Sequence, residues 1–290
     1  MAEILYRSQC ILGEAPVWDS SRQSCFWADI ESRTIYEYNW SSHNTIIYAL
    51  EHRVSLIIPA PGNVLILGLQ GGIAQYHLDT RKLRWLSDLD TDWSRFRCND
   101  GGCDASGRIW VSTTELNHEA AAGAIYSFGK EAKAIQKISG ISIPNGIVWS
   151  ADQKKMYYTD SIKREVYAWH ADAATGNITF DKTVIQIPDG AGLPDGMAVD
   201  AEGMIWIALW DGYGLGRFNP ETGAQEDFIA IPAPQVTSCC FAGKDLDHLV
   251  ITTARKGLSG EVLQKYPESG NVFIVKTKVK GIIGNAMPDL

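Results

Sequence analysis

The chain has 290 residues, with 26 Lys and Arg against 34 Asp and Glu, so its net charge is −8. The acidic balance argues against a nucleic-acid binder, which needs a basic face. The longest apolar runs, such as Ile205 to Trp210, are too short to span a bilayer. Glu3, Arg7 and Gln9 break the N-terminus where a signal peptide would need an apolar stretch. A cytoplasmic protein with no nucleic-acid and no membrane partner is therefore expected. Six cysteines without a CxxC pair read as buried, reduced thiols.

Taken in chain order, the apolar residues come in short β-branched and aromatic runs. Cys25 to Ala28, Val64 to Leu67, Ile109 to Val111, Met156 to Tyr158 and Ile205 to Ala208 are examples. Gly, Pro, Asn and Asp clusters separate them, which is the signature of strands and turns. The two best helix candidates are Trp93 to Arg97 and Glu261 to Lys265. Composition does not shift along the chain, so residues 1–290 read as a single domain.

An internal repeat organises these strands. Glu14 to Asp19, Asn99 to Asp104, Asn145 to Ser150 and Asp195 to Asp200 each begin and end on a polar residue. A second strand follows each segment, at Ser24 to Ile30, Arg108 to Thr113, Lys155 to Asp160 and Met204 to Trp210. A third strand with an aromatic comes next. Less regular copies start near Ser55 and Val236, giving six units of roughly 40–50 residues. That pattern predicts an all-β, six-bladed β-propeller with a central channel, in which Ile4 to Tyr6 completes the last blade.

The repeat makes a spatial claim. Glu14, Asn99, Asn145 and Asp195 hold one offset in four blades, so all four should face the same end of the channel. An Asn or Asp before Gly, as at Asn145 and Asp195, alone reads as a turn residue, whereas Glu14 is a poor turn former; four together read as a polar site. Crowded there, Glu14 and Asp195 would repel unless a cation lay between them. An oxygen-only set favours Ca²⁺, Mg²⁺ or Mn²⁺. The histidines show no metal spacing, no GxSxG elbow is present, and Gly212 to Gly216 reads as a tight hairpin or as a lining of the pocket rim beside Trp210.

The segments Leu12-Gly-Glu-Ala-Pro-Val-Trp18, Asn99-Asp-Gly101, Ile143-Pro-Asn-Gly146 and Pro194-Asp-Gly196 resemble the gluconolactonase, regucalcin and luciferin-regenerating-enzyme family. Thr252 to Leu258 is similar to its bacterial sugar-acid lactonases. The resemblance implies a propeller carrying one divalent cation (Ca, Mn, Mg, Zn or Fe). It implies Glu14, Asn145 and Asp195 as ligands, with Asp195 also serving as general base or acid. Arg97 and Asn99 match residues that hold the substrate, a small-molecule sugar lactone. Where some animal members carry a sugar-contacting Glu, this chain has Asn117, with Glu115 nearby. The expected activity is metal-dependent opening of a sugar lactone. The alternatives are a broad metal-dependent esterase or organophosphate hydrolase, a regucalcin-like calcium-binding regulator, and an interaction propeller with an empty channel.

Overall fold

Strands alternate with tight turns along the whole chain, and they group into six four-stranded antiparallel sheets. The computed structural model describes residues 2–89, 91–129, 133–285 and 287. Blade 1 holds Gly13–Asp19, Ser24–Asp29, Thr34–Asn39 and Thr45–Ala49; blade 2 holds Val54–Ala60, Val64–Leu69, Gly72–His77 and Lys82–Ser87. Blade 3 runs from Phe96–Cys103 through Ile109–Glu115 and Gly123–Phe128 to Ala134–Ile141. Blade 4 comprises Pro144–Trp149, Lys155–Asp160, Glu165–Asp172 and Asn177–Gln186. Blade 5 comprises Leu193–Val199, Ile205–Trp210, Gly214–Phe218 and Gln225–Ala230. Blade 6 takes Val236–Ala242, His248–Thr253 and Val272–Lys276, and its outermost strand is the N-terminal Glu3–Tyr6.

The innermost strand of each blade touches those of both neighbours, blade 6 meeting blade 1, so the sheets form a closed β-propeller. The closure expected from Ile4 to Tyr6 is observed: Glu3 pairs with Ile274, Ile4 with Phe273 and Tyr6 with Val272. It covers an edge that would otherwise expose unpaired backbone groups. The core lies between faces of adjacent blades. Phe26, Ile35, Leu65 and Leu67 fill the space between blades 1 and 2, and Trp206, Leu215, Phe241 and Phe273 that between blades 5 and 6. Trp27 stacks on Tyr36 within this packing, at 5.2 Å between ring centres. All six cysteines are free thiols, and all but Cys240 are buried.

One expected helix is present, as Gly260–Lys265, capped by Ser259 Oγ accepting from Val262 N. The other, at Trp93 to Arg97, is corrected. The Asp92 carboxylate accepts from Ser94 N and Oγ and holds a turn there. Phe96 then pairs with Glu115 and Arg97 with Thr114 in blade 3, so strand pairing wins over weak local helix preference. No helix among the described residues is long and apolar enough to cross a membrane.

Each of the six innermost strands carries a one-residue bulge near its start. Glu14 to Val17 spans three residues against two from Ala28 to Phe26. The same offset recurs at Cys98 to Gly101, Asn145 to Val148 and Pro194 to Met197. In blades 2 and 6 the extra residue is Ser55 or Thr237. A bulge bends the strand and re-aims a side chain. Six bulges at one level therefore make a ring at one end of the channel.

Candidate functional site at the channel mouth

The bulge ring carries Glu14 on blade 1, Asn99 and Asp100 on blade 3, Asn145 on blade 4 and Asp195 on blade 5. Glycine follows the polar residue in blades 4 and 5 because the packing leaves no room for a side chain. Gly146 has φ of +62°, and a Cβ there would lie 2.7 Å from Met197 and 3.0 Å from Asp195 O. A Cβ on Gly196 would strike Ser238 Oγ at 2.1 Å. The pair Asn-Gly or Asp-Gly, which reads as a turn in sequence, is here a bulge.

A polar chain runs from Arg97 across two of these residues, Asn99 and Asn145. Arg97 Nη1 donates to Asn99 Oδ1 at 2.6 Å and to Cys98 O at 2.9 Å. Asn99 Nδ2 donates to Asn145 Oδ1 at 2.7 Å and to Pro144 O at 2.8 Å. Asn145 Nδ2 donates to Ser161 Oγ at 3.0 Å. The amide oxygen of Asn145 keeps a second lone pair free. Arg97, Asn99 and Asn145 are thus locked in orientation, and Arg97 and Asn99 lie on one side of their strand.

The carboxylates differ. Among the described residues Glu14 accepts only from its neighbour Ala15 N, at a long 3.3 Å. Asp195 is 7% exposed, and the backbone N–H of Gly196 is the one donor that acts on its carboxylate among the described residues. Burial, then the negative charges of Glu14 and Asp100, push Asp195 well above the usual carboxylate range. Burial and the charge of Asp100 also raise Glu14. Both feel the positive Arg97, which offsets only part of this. Burial lowers the Arg97 guanidinium from its ordinary value, against the pull of Glu14 and Glu31. Glu14, Asp195 and Arg97 therefore interact in one electrostatic cluster, to which the polar chain joins Asn99 and Asn145.

Asp100 is a member of this cluster that sequence reasoning passed over. Its carboxylate accepts from Gly101 N and Gly146 N, each at 2.6 Å, tying blade 3 to blade 4. Burial raises it to about 6 against those two bonds. The available signal was the extra polar residue in Asn99-Asp100-Gly101, where blades 4 and 5 have one polar residue before glycine. Glu115 caps its own loop, accepting from Asn117 N at 2.6 Å, from Glu119 N at 3.2 Å and from Asn117 Nδ2 at 3.3 Å. These bonds, led by Glu119 N, hold it below the usual range.

No group of three His, Cys, Asp or Glu side chains is placed to hold a metal ion among the described residues. The candidate set is instead two carboxylates and one carboxamide. Its chemistry fits a hard divalent cation: oxygen donors only, with two carboxylates short of hydrogen-bond donors.

The family model described as "SMP-30/Gluconolactonase/LRE-like region" matches residues 12–255. The chain belongs to this family. It is 31% identical to regucalcin from Gallus gallus over 277 residues, 93% of each chain. It is 27% identical to the Bacillus subtilis (strain 168) protein named "Putative sugar lactone lactonase YvrE", over 94% of each chain. The structure of a calcium-binding protein, regucalcin, from Agrobacterium tumefaciens superposes with a TM-score of 0.95 at 28% identity, covering 99% of this chain and 97% of that one.

Proposed function

We propose that this protein is a divalent-metal-dependent hydrolase that opens a sugar lactone to the corresponding sugar acid, in the cytoplasm, with the propeller acting as one domain. The observation that carries this reading is the pair Glu14 and Asp195, two carboxylates nearly without donors, beside Arg97 and Asn99, which their hydrogen bonds hold in place. Similarity to a sugar lactonase over nearly the whole chain supports it. Glu14, Asn145 and Asp195 would hold the cation. A divalent ion there would polarise a lactone carbonyl and stabilise the developing oxyanion.

The chain's own groups account for the rest. Asp195, ionised, takes a proton from the water that attacks the carbonyl carbon. As the bond to the ring oxygen breaks, that oxygen regains a proton from Asp195 and becomes the free hydroxyl of the hydroxy acid. Asn99 is fixed by three hydrogen bonds, so it meets sugar hydroxyls in a set geometry. Arg97 offers a planar fork to the far part of the substrate.

Titration calorimetry with Ca²⁺ and Mn²⁺, followed by a pH-stat assay on aldonolactones, tests this. One binding event per chain and metal-dependent lactone opening are expected. Protein that binds no divalent ion, or that hydrolyses no lactone when saturated, overturns it. Similarity to regucalcin favours a second reading, a calcium-binding protein without turnover. Binding without hydrolysis would select that one.

A further inference from the structure

Three cations from three different blades gather along one side of the channel mouth. Glu31 lies between the second and third strands of blade 1, Arg53 directly precedes the inner strand of blade 2, and Lys256 follows the second strand of blade 6. Each of these connections sits at the end where the inner strands begin, which is the end that carries Glu14. Glu31 Oε1 accepts from Lys256 Nζ at 2.7 Å, and Glu31 Oε2 from Arg53 Nε at 3.0 Å. Arg53 Nη1 continues to Gln70 Oε1 at 3.2 Å, and Gln70 Nε2 to Trp93 O at 3.1 Å. Two cations from different blades thus share one carboxylate, and both keep exposed side-chain surface, 31% for Arg53 and 40% for Lys256.

Arg97 adds a third charge. It is 7% exposed, and no carboxylate lies within ion-pairing distance among the described residues. Its Nη1 bonds are to neutral oxygens, and its Nε and Nη2 have no partner among the described residues. A buried guanidinium in that state is costly unless an anion completes it. Glu31 and Arg53 both act on Arg97, and Arg97 and Lys256 both act on His118, so these groups form one field around the mouth. Glu14, Asp100 and Asp195 lie in the same cluster, and a divalent cation held by Glu14 and Asp195 would offset their charge. Cations grouped on one side of the mouth of a chain of net charge −8 can draw in an anion once a divalent ion offsets the carboxylates beside them. The opposite side of the mouth differs: the loops of blades 4 and 5 present exposed Ile162 and Tyr213.

We propose that Arg97, Arg53 and Lys256 form an anion subsite beside the reaction centre, which selects lactones bearing a carboxylate, phosphate or sulfonate at the end of the sugar remote from the lactone carbonyl. This rests on the lactonase reading and narrows its substrate class. Arg97 grips the anion directly with its free fork. Lys256 and Arg53, released in part from Glu31, complete the charge at the rim.

The test separates binding from turnover. With metal-loaded protein, calorimetry compares gluconate with glucarate, the same six-carbon chain with a second carboxylate at its far end. Glucarate is expected to bind about 10-fold more tightly at low salt, as one charge-assisted contact supplies. The preference should shrink toward unity at about 0.5 M salt. Lys256→Gln and Arg53→Gln should each reduce it several-fold with melting temperature preserved, and Lys256→Glu should reverse it. In turnover, kcat/KM is measured on glucono-lactone and on hexonolactones carrying a terminal carboxylate, phosphate ester or sulfonate. The arm with the largest ratio over the neutral lactone identifies the anion. Equal affinity for gluconate and glucarate, or a preference that Lys256→Gln and Arg53→Gln both leave intact, overturns the subsite. If glucarate is preferred but no lactone is opened, the subsite stands and the lactonase reading fails. If neutral lactones are opened without any preference for charged ones, the reverse holds.

Discussion

The two ends of the innermost strands treat acidic side chains in opposite ways. At the far end, Asp200 is fully buried and accepts from Glu202 N, Met204 N, Trp206 Nε1 and Arg217 Nε. Asp104 does the same in blade 3, with Ser106, Arg108 and Trp110 Nε1 as donors. At the mouth, among the described residues, Glu14 has one long hydrogen bond, from Ala15 N, and Asp195 only the backbone N–H of Gly196. Burial is nearly equal at Asp104, Asp195 and Asp200, so burial alone does not separate structural from functional acids. The donor supply does. A carboxylate surrounded by N–H groups and a guanidinium is a fixed part of a turn. One enclosed without them is stable only when something else supplies the positive charge.

The contrast breaks most sharply under substitution. Asp200→Ala would leave the Trp206 indole N–H without its buried acceptor and the Arg217 guanidinium with only the exposed carboxylates of Glu202 and Glu226. A loss of about 3–5 kcal/mol is expected, read as a drop in unfolding free energy in urea. Asp195→Asn should do the reverse in metal-free protein, removing a repulsion with Glu14 and leaving stability equal or higher. The same variant, saturated with metal, should lose about 10²-fold or more in turnover, because an amide accepts no proton. An Asp195→Asn variant that melts early without metal would mean that its carboxylate is structural after all.

Much of this was legible in the sequence, and the exceptions have physical causes. The six-unit repeat, the strands and the closure by Ile4 to Tyr6 follow from alternation and turn residues, which are local signals. The bulge ring was not visible, because Gly146 and Gly196 carry the same letters in a bulge as in a turn. Asp100 was missed for the same reason: its partner Gly146 N belongs to another blade, 46 residues away. The repeat also set Glu14 and Asp19 in one pattern without saying that one is donor-poor and the other donor-rich. Trp93 to Arg97 failed as a helix because pairing with Ile109–Glu115 is non-local. In each case the deciding contact joins distant parts of the chain.

The contrast sharpens when a divalent ion is titrated against unfolding. Metal that binds only the folded state should stabilise the wild type by about 2.7 kcal/mol at a hundredfold excess over Kd. Glu14→Gln and Asp195→Asn should lose most of this increment, while Asp104→Asn keeps it, though starting from a less stable protein. Thermal melts with and without Ca²⁺ read all three. An increment retained in Glu14→Gln would place the ion elsewhere.

The smallest expected effect concerns pH at the donor-rich end. Asp19 Oδ1 accepts from Ser21 N and Oγ and from Arg22 N, and its Oδ2 accepts from Arg22 Nη1 at 2.6 Å. Burial works against the charged form, but the bonds from Ser21 and Arg22 outweigh it and hold Asp19 below its ordinary value. The folded state therefore binds the proton less readily than the unfolded chain. The stability that Asp19 adds is complete above the unfolded pKa of about 3.9 and declines as pH falls through the lower folded value. Asp19→Asn should cost about 1–2 kcal/mol at pH 7, a charge-assisted bond exchanged for neutral ones. The difference from wild type should stay flat down to about pH 4.5 and shrink below about pH 4, where both chains carry a neutral group. Urea unfolding from pH 7 to pH 3 reads this directly. A difference that grew on acidification would mean that the Asp19 carboxylate is raised rather than lowered on folding, and would place it with Glu14 and Asp195.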